Sequence, residues 1–138
     1  MRTVQQILKD SKTIAVVGMS SKPERASYGV AHYLQQHGYR VLPVNPSYAG
    51  QEILGEKVHA SLREAADAAG GAIDVVDCFR DPEHMMQVAQ DAVAVRAKAL
   101  WMQLGVVNQE AADLASDAGL DVVMDRCMKI EHAAVGQA

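Results

Sequence analysis

The sequence predicts an open, doubly wound α/β sheet of about five to six parallel strands with helices on both faces. Three observations predict it. Short β-branched apolar runs alternate with stretches whose apolar residues recur at helical spacing. The first such run, "TIAVVG" (13–18), ends at a glycine, as a strand buried on both faces does where it turns into a helix. The intervening helical stretches, about 8–15 residues each, are long enough for right-handed crossovers between parallel strands.

Each element has its own local reason. Val4, Ile7 and Leu8 follow Thr3, which with Gln6 forms a capping-box pattern, so residues 3–10 read as a short helix. After the 13–18 strand, Val30, Ala31 and Leu34 give a helix over 27–37, stopped by Gly38. "YRVLPVN" (39–45) is the second strand. "PSYAGQEILGEKVHA" is a loop with one short strand. Ser61 and Glu64 open the next helix, which ends at Gly70-Gly71. "AIDVVDCF" (72–79) is a strand, and Asp81-Pro82 reads as an N-cap with proline at the first helical position. "KALWMQLG" (98–105) is a strand, Asn108 caps a helix ending near Gly119, and "LDVVMD" (120–125) is the last strand. Residues 126–138 read as a surface tail whose "GQA" end frays. Trp101 and the Met85-Met86 pair read as core.

With 138 residues the chain is expected to form one domain, 1–138, large enough for a single core. A hydrophobic fraction of 49% and a charged fraction of 22% exclude disordered and fibrous classes. A formal charge of -4 argues against a surface built for nucleic acid or anionic membrane, so any anion site must be local. Cys78 and Cys127 form neither a CxxC pair nor a disulfide framework. With no signal-like or membrane-length apolar run, the expected compartment is the cytoplasm.

In such sheets ligands bind beyond the carboxyl ends of the strands, which directs attention to Gly18, Asn45-Pro46 and Cys78-Phe79-Arg80. A dinucleotide turn uses three glycines and an acid about 20 residues on. Here Gly18 supplies the first glycine, Ser20 and Pro23 or Glu24 replace the others, and the second strand ends in Asn45. The GK[ST] ending of a P-loop is also missing. What the turn has is Ser20, Ser21, Lys22, Arg25 and Ser27, just ahead of a helix N-terminus, where anions bind well. Arg80 is placed to add a bidentate phosphate contact from another strand end. These groups in an acidic chain fit a small polyanion rather than a polymer.

"VVGMSSKPERASYGVAHYL", "GYRVLPVNPSYAGQEILG", "DVVDCFR", "LWMQLGVVNQEAADLASDAGLDVVMDRC" and "KIEH" occur in that order over about residues 3–132. This arrangement resembles the small bacterial CoA-binding proteins related to the N-terminal domain of the succinyl-CoA synthetase alpha subunit. The resemblance implies a Rossmann-like fold and a ligand that is coenzyme A or an acyl-CoA. It implies that Gly18, Ser20, Ser21 and Lys22 form the phosphate-side loop, supported by Arg25 and Ser27. Val44, Asn45 and Pro46 would line the adenosine side, and Cys78, Phe79 and Arg80 would pack against the nucleotide and its phosphates. Ser47 and Tyr48 stand where relatives of this type often carry a basic residue.

The synthetase's phosphorylated histidine lies in a second domain that this chain does not extend into, so the resemblance implies binding without ligase chemistry. His32, His37, His59, His84 and His132 show no paired metal-ligand spacing, and four of the five read as surface residues. No metal is expected. Cys127 beside Arg126 has the neighbour of a reactive thiol, but a small, partly buried residue is the simpler reading. The expected partner is therefore a small-molecule CoA ligand, with neither nucleic acid nor membrane. A homodimer or a protein partner stays open. Two other functions stay open too: an enzyme, either of the NAD(P)-type dinucleotide class or an acyl-transfer enzyme using Cys127, and a degenerate Rossmann domain acting through protein contacts.

Overall fold

The computed structural model describes residues 1–136. Five parallel strands form the main sheet in the order β2-β1-β5-β6-β7. These are β1 (Thr13–Val17), β2 (Arg40–Val44), β5 (Val75–Cys78), β6 (Ala99–Met102) and β7 (Asp121–Val123). The chain leaves β1 toward β2 on one side and returns to β5 on the other. The order therefore reverses beside β1, and a crevice opens there beyond the strand ends.

Alternation along the strands sends side chains to two cores. Ile14, Val16, Val41, Val75 and Trp101 pack with α1 (Val4–Asp10), α2 (Ala26–Gln36) and α6 (Met128–Gly136). Ala15, Val17, Leu42, Val76 and Met102 pack with α3 (Leu62–Ala68), α4 (Met85–Ala94) and α5 (Gln109–Asp117). The expected doubly wound α/β fold is the one observed. Trp101 and Met85 are fully buried, and the Trp101 indole donates to the Arg126 carbonyl at 2.8 Å. Met86 is only half-buried. Among the described residues no helix is long and apolar enough to cross a membrane.

The capping box at Thr3 forms as its pattern predicts, as does the Asn108 cap. Three local expectations need correction. The 46–60 loop holds two short strands, β3 (Glu52–Ile53) and β4 (Glu56–Lys57), rather than one. They are joined by Leu54-Gly55, both at positive φ, the pattern of a tight hairpin turn. The loop then returns alongside β2, where the His59 amide donates to the Pro43 carbonyl and the Asn45 amide to the His59 carbonyl, both at 2.9 Å. Asp81 and Pro82 stand at the N-cap and first positions as expected, but of a 3-10 turn, Pro82–His84, that precedes α4, and the Asp81 side chain makes no cap hydrogen bond. Residues 128–136 are not a surface tail but α6. Its first turn is held by Met128, fully buried, whose amide donates to Gln103 Oε1 at 3.2 Å. An Arg126–Glu131 ion pair at 2.9 Å adds a surface tie. The expected fraying of the last residues falls, beyond Gly136, outside the described residues.

Asp77 sits between Val16 and Trp101 in register on the α2 and α6 side, completely buried. Neither carboxyl oxygen has a hydrogen-bond partner among the described residues. Burial alone pushes this carboxyl well above the usual carboxylate range, which favours its neutral form in the folded chain.

Candidate functional site at the strand ends

β1 stops at Gly18, whose φ is +85° and whose amide donates to the Val44 carbonyl at 2.9 Å. A Cβ there would stand 2.8 Å from the Phe79 carbonyl oxygen and 3.2 Å from Arg80 Cδ. Glycine thus lets the ends of β1 and β5 close on each other at the reversal point. Met19, fully buried, anchors the following turn. The Ser20 amide donates to Ser27 Oγ at 2.9 Å, and the Lys22 amide donates to Ser20 Oγ at 3.1 Å. Arg25 occupies the N-cap position of α2, and no side chain caps that helix. Its leading amides and the positive end of its dipole face the loop without a capping acceptor.

Two clefts flank this turn. One, about 320 Å3, is lined by Ser20, Lys22, Arg25, Tyr48 and Phe79. The other, about 480 Å3, opens between β2 and α4 and is lined by Val44, Pro46, Ser61, Leu62, Arg80 and Val88. Gly18 and Asn45 border both. Asn45 is fixed on both sides of its amide: Nδ2 donates to the Met19 carbonyl and Oδ1 accepts from the Ser47 amide, each at 2.9 Å. It ties the end of β2 to the turn after β1 and has no carboxylate to offer a ribose.

Most of the residues singled out in the sequence gather here, but in different capacities. Lys22, Arg25 and Phe79 line the smaller cleft, and Pro46 and Arg80 the larger. Arg80 therefore does not share a cleft with Arg25. Ser27 is buried and spends its hydroxyl on the loop, while Ser21 is exposed and lines neither cleft. Cys78 lines neither cleft. It lies on the buried α4-side face, its thiol directed at the Val76 carbonyl. Burial, and then the neighbouring Asp77, push its thiol well above the usual range. Cys127 is buried as well.

The sequence reading missed the α4 wall. His84, Gln87 and Asp91 recur at i, i+3 and i+7 and line the larger cleft, with Gln87 Nε2 donating to Asp91 Oδ1 at 3.0 Å. Their spacing puts them on one helix face, but only the topology reveals that this face borders a ligand-sized space. The one His/carboxylate trio found among the described residues, Asp81, Glu83 and His84, lies on the 3-10 turn with no buried residue, an arrangement common without an ion.

A family profile described as a CoA binding domain matches residues 12–133. The chain belongs to this CoA-binding domain family. It is 41% identical over 130 residues to the YneT protein of Bacillus subtilis, covering 94% of this chain and 92% of that one. It is also similar to the alpha subunit of an ADP-forming acetate–CoA ligase from Pyrococcus furiosus, 32% identical over 94 residues. That match covers 65% of this chain and 20% of the ligase subunit, the synthetase-like relationship read from the sequence. A solved Thermus thermophilus structure superposes with a TM-score of 0.89 at 36% identity, covering 97% of this chain and 99% of that one. This CoA-binding domain thus carries its family's fold around the two clefts.

Proposed function

We propose that the chain binds coenzyme A or an acyl-CoA across the Gly18–Asn45 ridge and performs no chemistry of its own. The observation that carries this reading is the uncapped N-terminus of α2 beside Gly18, with Lys22 and Arg25 on the same cleft. A pyrophosphate there would meet helix amides, a dipole and two cations. The adenosine would lie in the larger cleft, where Val44, Pro46, Leu62 and Val88 give an apolar wall and Arg80 stands ready for the ribose 3′-phosphate. Asn45, with its amide committed to Met19 and Ser47, weighs against a dinucleotide whose ribose needs an acidic acceptor. The burial of both cysteines weighs against an acyl-transfer nucleophile.

This division of labour has a test in calorimetric titration with CoA and dephospho-CoA. Arg25→Ala weakens both ligands alike by about tenfold or more, since a charge-assisted contact to the shared pyrophosphate is lost. Arg80→Ala weakens CoA by a similar factor of about ten and dephospho-CoA little. Equal losses for both ligands in Arg80→Ala would remove that residue from the 3′-phosphate.

A further inference from the structure

At the opposite pole of the sheet, where the strands begin, a separate cleft of about 450 Å3 opens between α1, the α2–β2 turn and α6. It shares no lining residue with the two clefts at Gly18. We propose that this cleft is a second binding site, for a small organic carboxylate with a short apolar or aromatic body. The proposal does not rest on the CoA reading.

Charge is the first argument. Lys9, His37 and His132 line the cleft and, among the described residues, no Asp or Glu does, in a chain of net charge -4. The imidazoles are also held in place. His37 Nδ1 lies 2.8 Å from the Tyr33 carbonyl, which only accepts, so that nitrogen carries the proton. His132 Nδ1 lies 2.8 Å from the Tyr33 hydroxyl. Each ring is thus tied through Nδ1 to Tyr33, and both residues line the cleft. The ring centroids stand 5.0 Å apart.

A further polar atom waits at the floor. Ser11 is only 6% exposed, lines the cleft, and its Oγ has no partner among the described residues. A buried hydroxyl left so is unfavourable, and a rotamer change toward a ligand oxygen relieves it. Leu8, Val135 and the Tyr39 ring supply apolar walls, the Tyr39 hydroxyl being committed to the Leu8 carbonyl. The volume and this mixture suit a small molecule with one anionic end.

The anion also resolves a conflict between the rings. Burial, and then the nearby His37, hold the His132 pKa below the usual imidazole value. The groups facing the pair are Lys9 from α1, Tyr33 from α2, Tyr39 before β2, and Lys129 of α6, whose Nζ lies 5.6 Å from the Tyr33 ring centre. Among the described residues none of these is a carboxylate, so a bound carboxylate supplies a counter-charge and binding takes up a proton.

The test uses the full chain with 15N-labelled histidine, titrated with sodium benzoate and sodium butyrate against a sodium chloride control. Saturable shifts at His37 and His132 are expected, tightening by about threefold or more from about pH 7.5 to about pH 6. Lys9→Ala, a change at an exposed residue, weakens binding by about fivefold, whereas Arg25→Ala leaves it unchanged. Shifts no larger than with chloride, an unaltered response in Lys9→Ala, or loss in Arg25→Ala would each overturn the proposal. So would saturation by zinc at micromolar concentration without any response to benzoate, which would make the pair a metal site.

Discussion

Gly18→Ala is expected to lower the stability of this protein by about 2–5 kcal/mol and, at the proposed site, to remove CoA binding. Two costs add. The backbone at Gly18 is left-handed, φ +85°, where a side chain is strained. The new methyl would also stand 2.8 Å from the Phe79 carbonyl oxygen, a backbone atom fixed by its strand, and 3.2 Å from the Arg80 stem. Relief requires β1 and β5 to part at their ends, which moves the loop carrying Lys22 and the side chain of Arg80 together. Gly29→Ala in α2 is the control: nothing lies within 4 Å of its added Cβ, and stability should hold or rise by about 0.5–1 kcal/mol. Denaturant unfolding of both variants checks this. A Gly18→Ala protein as stable as the parent would mean that the close approach at the reversal point is not a constraint.

The second large effect is the dependence of stability on pH. Burial raises the Asp77 pKa in the folded protein above its unfolded value, so between those two values folding takes up a proton. Its contribution is fully present below the unfolded carboxylate pKa of about 4 and is lost as pH rises toward the folded value, at about 1.4 kcal/mol per pH unit. Asp77→Asn keeps the shape and removes the titration. The variant should gain in stability on the parent as pH increases above about 4. Asp74 works in the opposite sense. Burial raises its pKa, but amide bonds from Thr13 and Lys12 and the Lys98 ammonium outweigh this and leave it lowered, so its contribution is lost below about pH 4. Parallel pH profiles for Asp77→Asn and the parent would show that the buried carboxyl is ionised and paired in solution.

The parts of this fold that were readable in advance are those specified locally. The β-branched run ending at Gly18 marked both the first strand and the site, because a strand buried on both faces needs apolar residues at every position and a glycine where its end meets β5. Asn45-Pro46 was placed at the second strand end, though not its role as a brace between two strand ends. The α6 helix was hidden, since two turns give little periodicity and its anchor, Met128 against Gln103, joins residues 25 positions apart. The burial of Cys78 away from both clefts is not legible in the sequence, because a run of consecutive buried residues does not say which face each one takes. Only the register with β1 and β6 puts Asp77 on the α2 side and Cys78 on the other. The separation of Arg25 from Arg80 by the Gly18 ridge, and the meeting of His37 with His132, are likewise products of the crossovers and leave no trace in spacing.

The central claim is that the Gly18 crevice takes CoA. A ligand that binds only the folded chain stabilises it by RT ln(1 + [L]/Kd), about 2.7 kcal/mol at a hundredfold excess over Kd. For a domain of this size that corresponds to a rise on the order of 5–10 °C in the thermal midpoint. The measurement is that midpoint with CoA, dephospho-CoA, NAD and ATP in parallel. The account predicts the largest rise with CoA, a smaller one with dephospho-CoA and little with NAD. A larger rise with NAD than with CoA, or no rise with CoA at about millimolar concentration, would contradict it.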